Sequence, residues 1–379
     1  MTAGFAGVES TLLGPGDDAA VVAVPDGRVV ATTDLLVENR HFRRDWSTAN
    51  DVGHKAAARN FADIAAMGAV PTALLVGFAT PGDLALDWVD GLMAGLREEC
   101  GEVGAAIVGG DVTAADVIML GVTALGDLQG RAPITLGGAQ PGDLVAVAGK
   151  LGWAAAGFAV LGRGFRSPVQ VVSAHRRPEP PYAEGPRAAD LGATSMTDVS
   201  DGLVADLGHI AEASGVRIDL RADQVTVPAK LREVGAALNV DPLVWLFTGG
   251  DDYALATTFP KNTSLPDTWT VIGVVEIKRM YVLDAARRRG LARLMLAELE
   301  ASALAAGSRR VMLNTGDQQP EAIGLYESSG YLPVDGFGHY ACTPGALFYG
   351  KDLDPTGRST DGRRNETARL AQGGDGPIG

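Results

Sequence analysis

Nine acidic residues at six places stand where strand-like runs stop or helical runs begin. They are Asp17-Asp18 in GPGDDAA, Asp34 after Thr32-Thr33, Asp63 in RNFADIAAMG, Asp111 after Gly109-Gly110, Asp198 and Asp201 in DVSDG, and Asp251-Asp252 after Gly249-Gly250. A carboxylate so placed can point into a cleft while its backbone stays anchored. Hard cations such as Mg²⁺ take oxygen ligands, keep some of their water and bridge carboxylates to phosphates. Several carboxylates converging from separate strand ends would build a cage in which metal neutralises the charge that develops in phosphoryl transfer. Singly, each is an ordinary turn or N-cap residue; the reading rests on the set. The other common phosphate cradle, a glycine-rich loop ending in Gly-Lys-Ser/Thr, is missing, because Leu151 follows Gly149-Lys150 and Leu144 stands where the first loop glycine belongs. Nucleotide chemistry in this chain must therefore run through metal.

Two cations lie on the same predicted helix as Asp63. Lys55 and Arg59, spaced i, i+4, either form a solvated face or line an anionic cleft, and the spacing allows both. Asp63 falls near that helix's end, by Met67-Gly68, where a negative charge opposes the macrodipole and a nearby cation is favoured. His54, His175, His209 and His339 show no zinc-type pairing, and Cys100 and Cys342 are too few for a thiolate zinc centre or a disulfide framework.

An α/β (or α+β) pattern positions these groups. Strands are expected over 19–24, 28–33, 72–78, 105–108, 117–124, 144–148, 195–199 and 271–275. Helices are expected over 51–67, 86–100 and 202–213, each stopped by glycine. The Pro- and Arg-rich segment 163–187 reads as an ordered loop, and turn chemistry over 126–142 marks a domain boundary. With 379 residues, 46% of them hydrophobic, two or three domains can each bury a core. The charge is uneven: residues 1–276 carry 34 acidic and 19 basic side chains, residues 277–353 carry 8 and 9, and residues 354–379 carry 4 and 4. So acidic a large part excludes a nucleic-acid groove, which needs a basic footprint. Neither a secretory signal nor a membrane-spanning apolar run is present, so the expected location is cytoplasmic, with no membrane partner. Residues 354–379, poor in large apolar side chains, are expected to be a disordered tail.

The ordered motifs GPGDDAAVV (14–22), ATTDLLVENRHF (31–42), KAAARNFADIAAMGAVPT (55–72), VGGDVT (108–113), GAQPGDLVAVAG (138–149), TDVSDGLVADLGHI (197–210) and GGDDYAL (249–255) resemble the thiamine-monophosphate kinase family, within the aminoimidazole ribonucleotide synthetase-like superfamily. The resemblance covers residues 12–276. It implies the two-domain kinase fold of that superfamily, with an ATP- and Mg-binding domain over 1–135 and a second α/β domain over 136–276. It also implies a homodimer whose N-terminal strands pair, and transfer of the γ-phosphate of ATP to thiamine monophosphate. Carried over by position, Asp18, Thr32, Thr33, Asp34, Asp63, Asp111, Asp198 and Asp201 would ligate Mg²⁺. Gly110, Asp111 and Ser200 would touch ATP, His41 and Asp251 would meet the thiamine phosphate, and Asp111 and Asp201 would be the catalytic carboxylates. Three departures stand out. Leu136 replaces an arginine expected at the ATP phosphates, Asp251 replaces a glutamate, and the family's continuation past Val275 is replaced by other sequence.

That other sequence, 277–353, resembles the C-terminal half of a GNAT-type N-acetyltransferase through Arg287-Arg288-Arg289-Gly290-Leu291-Ala292 and the later NTGDQQPEAIGLYESSGY. The resemblance implies acetyl-CoA as a further cofactor. Its pyrophosphate would be held by Arg288, Gly290 and Ala292 at a helix start, with Tyr326 as the general acid. The family's N-terminal half, which shapes the acceptor site, has no counterpart. Three functions are thus in play: the kinase with an appended acetyl-CoA-binding segment, an impaired kinase fusion that only binds nucleotide, and an acetyl-CoA-dependent N-acetyltransferase. A strand over 280–283 is expected to dock on the sheet edge left near 276–278.

Overall fold

The computed structural model describes residues 8–13, 19–221, 224–277, 291–305, 309–337 and 343–353. It separates into two units, residues 1–278 and 279–379. The first half of the larger unit contains β1 (Thr11–Leu13), β2 (Val21–Val22), β3 (Val30–Val37), α1 (Ala49–Ala66), β4 (Val70–Thr80), α2 (Leu86–Val103), β5 (Ala106–Ala114) and β6 (Met119–Asp127). Its sheet runs β3-β6-β4-β5, antiparallel except for the β4–β5 pair. Period-2 alternation decides which side chains meet. Leu36, Leu120 and Phe78 share a register row on the inner face and pack under Phe61 and Ile64 of α1 and Leu92 and Leu96 of α2. On the outer face, the β1–β2 hairpin packs through Val22 near Ala73 and Leu125, whereas Leu35, Leu75 and Met119 are exposed.

Helix α1 is buried along almost its whole length, which its alanines make possible. A capping box starts it: the Thr48 hydroxyl accepts from the Asp51 amide at 3.2 Å, and the Asp51 carboxylate accepts from the Thr48 amide at 2.9 Å. It crosses α2 backbone to backbone. A Cβ on Gly95 would lie 2.1 Å from the Asn50 carbonyl oxygen, and one on Gly53 would lie 2.2 Å from that of Leu92. Gly185 meets Ala65 equally closely, so the second half of the unit also presses on α1.

That second half comprises β7 (Leu144–Ala148), α3 (Trp153–Gly162), α4 (Val169–Arg176), α5 (Glu184–Asp190), β8 (Ser195–Asp198), α6 (Leu203–Ser214), β9 (Val216–Leu220), α7 (Ala229–Leu238), α8 (Pro242–Thr248), β10 (Leu255–Phe259) and β11 (Trp269–Ile277). Its antiparallel sheet runs β8-β10-β7-β11-β9 and is buried on both faces. Val145 and Val147 meet Leu203, Leu207 and Ile210 of α6, while Ala146 and Ala148 meet Met196, Phe259 and Trp269. The expected loop over 163–187 is corrected here. Val171, Val172 and His175 bury one side of α4 among Ala156, Val160 and Leu161 of α3, and irregular chain is confined to 163–168 before it and 177–183 after it.

Near the expected sheet edge at 276–278, strand β11 pairs with β7 over Trp269–Val274 and with β9 over Gly273–Ile277, so Glu276 and Ile277 are paired on the β9 side. The strand expected over 280–283 and the tail over 354–379 lie outside the described residues. The smaller unit holds α9 (Leu291–Ala305), β12 (Arg310–Gly316), α10 (Pro320–Ser328), β13 (Leu332–Pro333) and β14 (Ala346–Asp352), with sheet order β12-β14-β13. Its core is a small cluster around Leu296, Tyr331 and Tyr349.

The crossing of α1 and α2 gives a test. Gly95→Ala is expected to destabilise the protein by about 3 kcal/mol, because only backbone could move aside. Gly101→Ala, on the same helix with open space around it, should stabilise by about 0.5 kcal/mol through reduced chain entropy. Denaturant melts of the two variants check the contrast.

Candidate active site

One face of α1 carries Lys55, Arg59 and Asp63 in an i, i+4, i+8 stripe; β3 engages Arg59 and Asp63, and the Asp251 loop engages Lys55. The Thr32 hydroxyl of β3 donates to Asp63 Oδ2 at 2.7 Å. Two residues along the same face of β3, Asp34 pairs with the Arg59 guanidinium at 3.2 Å. Lys55, almost fully buried, places Nζ 2.8 Å from Asp251 Oδ2 and 3.3 Å from the His175 carbonyl oxygen. The Tyr253 hydroxyl donates to the other Asp251 oxygen at 2.9 Å.

The loop bearing Asp251 is pressed onto the Asp198–Gly202 loop. The Asp251 amide donates to the Ser200 carbonyl at 2.9 Å, and the Tyr253 amide to the Val199 carbonyl at 2.9 Å. A Cβ on Gly250 would lie 2.2 Å from the Ser200 carbonyl oxygen. Asp251 and Tyr253 both sit at positive φ, 64° and 53°, a sparsely populated region for residues with side chains that recurs at functional sites. Asp252 has a structural task, capping the start of α3 by accepting from the Gly152 and Ala154 amides. Burial nonetheless pushes its carboxyl up to about 7.

Electrostatics divides the stripe into two ends. At the Asp63 end, burial pushes the Asp63 carboxyl up to about 6 against the stabilising Thr32 hydroxyl, with Asp34 adding repulsion. Burial, then Asp63 and Asp206, push Asp198 up to about 8. Asp198 Oδ2 is buried without a hydrogen-bond partner. The orphaned oxygen is of the type a hard divalent cation takes, but among the described residues no three acidic, histidine or cysteine side chains stand close enough together to hold one by themselves. At the Lys55 end, desolvation works to raise Asp251, but Lys55, His175 and the Tyr253 hydroxyl overcome it and hold the carboxyl at about 2. Burial and the charge of Lys55 keep His175 neutral, with its pKa lowered to about 3.

The structure brings Thr32, Asp34, Asp63 and Asp198 together, with Asp251 at the far end. Asp201 is exposed beside them; its amide and that of Gly202 donate to Asp206. Ser200 and His41 border the cluster. The His41 ring accepts from the Val37 amide at 2.9 Å, and burial and Arg59 lower its pKa. Gly110 shares a register row with Asp34, and a Cβ there would collide with the Val76 carbonyl at 2.1 Å. Thr33 and Asp111 do not join. Their register places them with Leu35 and Leu75 on the outer face, where the Thr33 hydroxyl bonds to the Val122 carbonyl and to Thr123. Asp18 lies outside the described residues. Leu136 opens a 3-10 turn over Leu136–Gly138 and is partly exposed.

Sequence spacing left Lys55 and Arg59 undecided and did not single out Tyr253 or Asp206. An acid in the first turn of α6 was a signal for Asp206 as the holder of free amides. In the smaller unit, Ala292 stands in the first turn of α9, and Tyr326 packs between Tyr331 and Tyr349 with ring centroids 6.0 Å from each. Arg288 and Gly290 lie outside the described residues.

Comparison with known proteins follows this division. The family model "AIR synthase related protein, N-terminal domain" matches residues 16–128, and "AIR synthase related protein, C-terminal domain" matches residues 140–281. The "Acetyltransferase (GNAT) family" matches residues 263–331; the start of that match includes β11, which the larger unit's sheet already uses. A thiamine-monophosphate kinase of Mycobacterium tuberculosis is 49% identical over 267 residues, covering 70% of this chain and 80% of that protein. A solved thiamine monophosphate kinase of Aquifex aeolicus superposes with a TM-score of 0.62 at 30% identity, covering 65% of this chain and 85% of that one. A structure described as "AaThiL complexed with AMPPCP and TMP" superposes with a TM-score of 0.63 at 30% identity, covering 71% and 87%.

The raised carboxyl of Asp198 has a measurable consequence. Its folded pKa of about 8 exceeds the ordinary aspartate value of 3.8, so the folded state holds the extra proton between those limits. Stability from this group is present below that window and lost as pH rises through it. In chelator-treated protein, Asp198→Asn should therefore melt increasingly above wild type from pH 5 to pH 8. Mg²⁺ should close the gap by stabilising wild type alone. A gap that does not change with pH contradicts the assignment.

Proposed function

The chain belongs to the thiamine-monophosphate kinase family, and we propose that residues 16–281 catalyse transfer of the γ-phosphate of ATP to thiamine monophosphate, giving thiamine diphosphate. The observation that carries this reading is the nearness of Asp34, Asp63 and Asp198 to one another, with the buried Lys55 paired to the partly exposed Asp251 farther along the same helix face. In the proposed site Asp34, Asp63 and Asp198 with Thr32 would hold Mg²⁺, joined by Asp18 and Asp201 as the resemblance implies, whereas Thr33 and Asp111, which the resemblance also names as ligands, lie on the opposite face of the sheet and would not reach the same ion. Bound there, Mg²⁺ would neutralise phosphate charge in the transition state. The chain's own residues position and pre-organise. Thr32 fixes the Asp63 carboxylate, and the Asp206 carboxylate holds the amides of Asp201 and Gly202 in place. Lys55 and Tyr253 lock Asp251 in its strained conformation at the acceptor end. A phosphate oxygen is a competent acceptor, so the reaction calls for positioning and charge neutralisation rather than a covalent nucleophile.

The proposal includes a homodimer. Leu35, Leu75 and Met119 leave an apolar strip on the outer face of the first sheet, the kind of surface an association buries. Thr33 and Asp111 share that face, so a second copy covering it would enclose them. Among the described residues no helix is long and apolar enough to cross a membrane. A cytoplasmic location is proposed with the function, and the free, buried Cys100 is consistent with it. Acetyl-CoA is proposed as a ligand of residues 291–353 on the strength of the acetyltransferase match, and a rise in melting temperature on adding it is the check.

The deciding experiment gives the full chain Mg²⁺, ATP and thiamine monophosphate and follows thiamine diphosphate. Turnover is expected, with Asp63→Asn slower by a factor of about 100 or more. The same preparation should sediment at twice the 39.1 kDa of one chain. Nucleotide binding without product would mark an impaired kinase instead.

A further inference from the structure

Arg59 is an incompletely used cation. Its guanidinium makes one ion pair among the described residues, to Asp34, and its Nε is buried with no hydrogen-bond partner. An unpaired buried N–H is expensive, and the side chain keeps 15% of its surface exposed, enough for a ligand to reach it. Lys55, one turn away, differs: it is 3% exposed and committed to Asp251 and the His175 carbonyl. The helical rise sets Arg59 about 6 Å along the axis from both Asp63 and Lys55. It therefore stands between the carboxylate end of the stripe and the Asp251 end.

The resemblance had His41 and Asp251 meeting the acceptor's phosphate. The geometry does not suit Asp251 to that task, because both its oxygens are engaged, by Lys55 and Tyr253, and its own negative charge repels a phosphate. His41 has Nδ1 occupied by the Val37 amide, which leaves one nitrogen. Arg59 is the group nearby with a fixed fork of donors that matches a phosphate's oxygens.

We infer that Arg59 recognises the phosphate of the monophosphate acceptor, sharing its guanidinium between Asp34 and two phosphate oxygens. The inference rests on the proposed kinase reading and names the residue that makes the phosphate, rather than the organic body, the required part of the acceptor.

The test compares thiamine monophosphate with thiamine lacking the phosphate. Binding to the full chain is measured by calorimetry with Mg²⁺ and a non-hydrolysable ATP analogue, for wild type, Arg59→Met and Arg59→Lys. Wild type should prefer the phosphorylated compound. Arg59→Met should lose about tenfold or more of its affinity for that compound with little change for thiamine, as expected for a charged hydrogen bond removed. Arg59→Lys keeps the charge and should recover part of the preference. Should Arg59→Met fail to fold, the lysine variant decides, since loss of the planar fork must still weaken the preference several-fold. A preference equal to wild type in Arg59→Lys and Arg59→Met, or in the lysine variant alone if only it folds, overturns the inference while leaving the kinase reading intact. Wild type that forms no thiamine diphosphate and shows no preference overturns both.

Discussion

Mutual repulsion among Asp34, Asp63 and Asp198 is the constraint around which the larger unit is organised. Burial and neighbouring carboxylates raise Asp63 and Asp198 above the ordinary carboxylate range, and the protein supplies only part of the compensation. Arg59 answers Asp34, the Thr32 hydroxyl answers Asp63, and one oxygen of Asp198 has no answer from the described residues. Holding such a cluster demands a rigid frame. Helix α1 provides it by being wedged between two sheets and locked to α2 at Gly53 and Gly95, so that the polar stripe has no freedom to swing away.

The neighbouring carboxylates show how one chemical type is given opposite duties by its surroundings. Asp251 and Asp252 are adjacent, yet one is kept strongly acidic by a lysine and a tyrosine while the other is raised by burial and spends its lone pairs on the start of α3. Backbone conformation enforces the division. The positive φ at Asp251 turns its side chain toward α1, while Asp252 stays within reach of the Gly152 and Ala154 amides.

Much of the frame was legible in the sequence. β7 occupies the expected span 144–148, and α1 and α2 fall within a few residues of their glycine-marked ends. Other elements hid for identifiable reasons. β10 contains Thr257 and Thr258, which read as polar yet are fully buried, with Thr258 bonded to Thr194 and Ser195. α3, with the sequence WAAAGFAVLG, is apolar on nearly every side and offers little periodicity to detect. For the site, acidic residues beside glycines announced themselves, whereas the burial of Lys55 and Arg59 did not, because a charged i, i+4 pair has the same spacing in solvent and in a cleft. Strand parity separated neighbours that the motif had joined: Thr32 and Thr33 are adjacent in sequence but face opposite sides of β3.

The position of β11 bears on how such a chain could arise. It is held by hydrogen bonds on both flanks, and its last paired residue, Ile277, is followed within a residue by the boundary between the units. A strand secured to β7 over most of its length and to β9 up to its last residue depends little on what is spliced after it. The junction is thus a permissive seam. Recombination there can exchange the downstream sequence without unravelling the upstream sheet, and the mixed ancestry of this polypeptide is what such tolerance leaves behind.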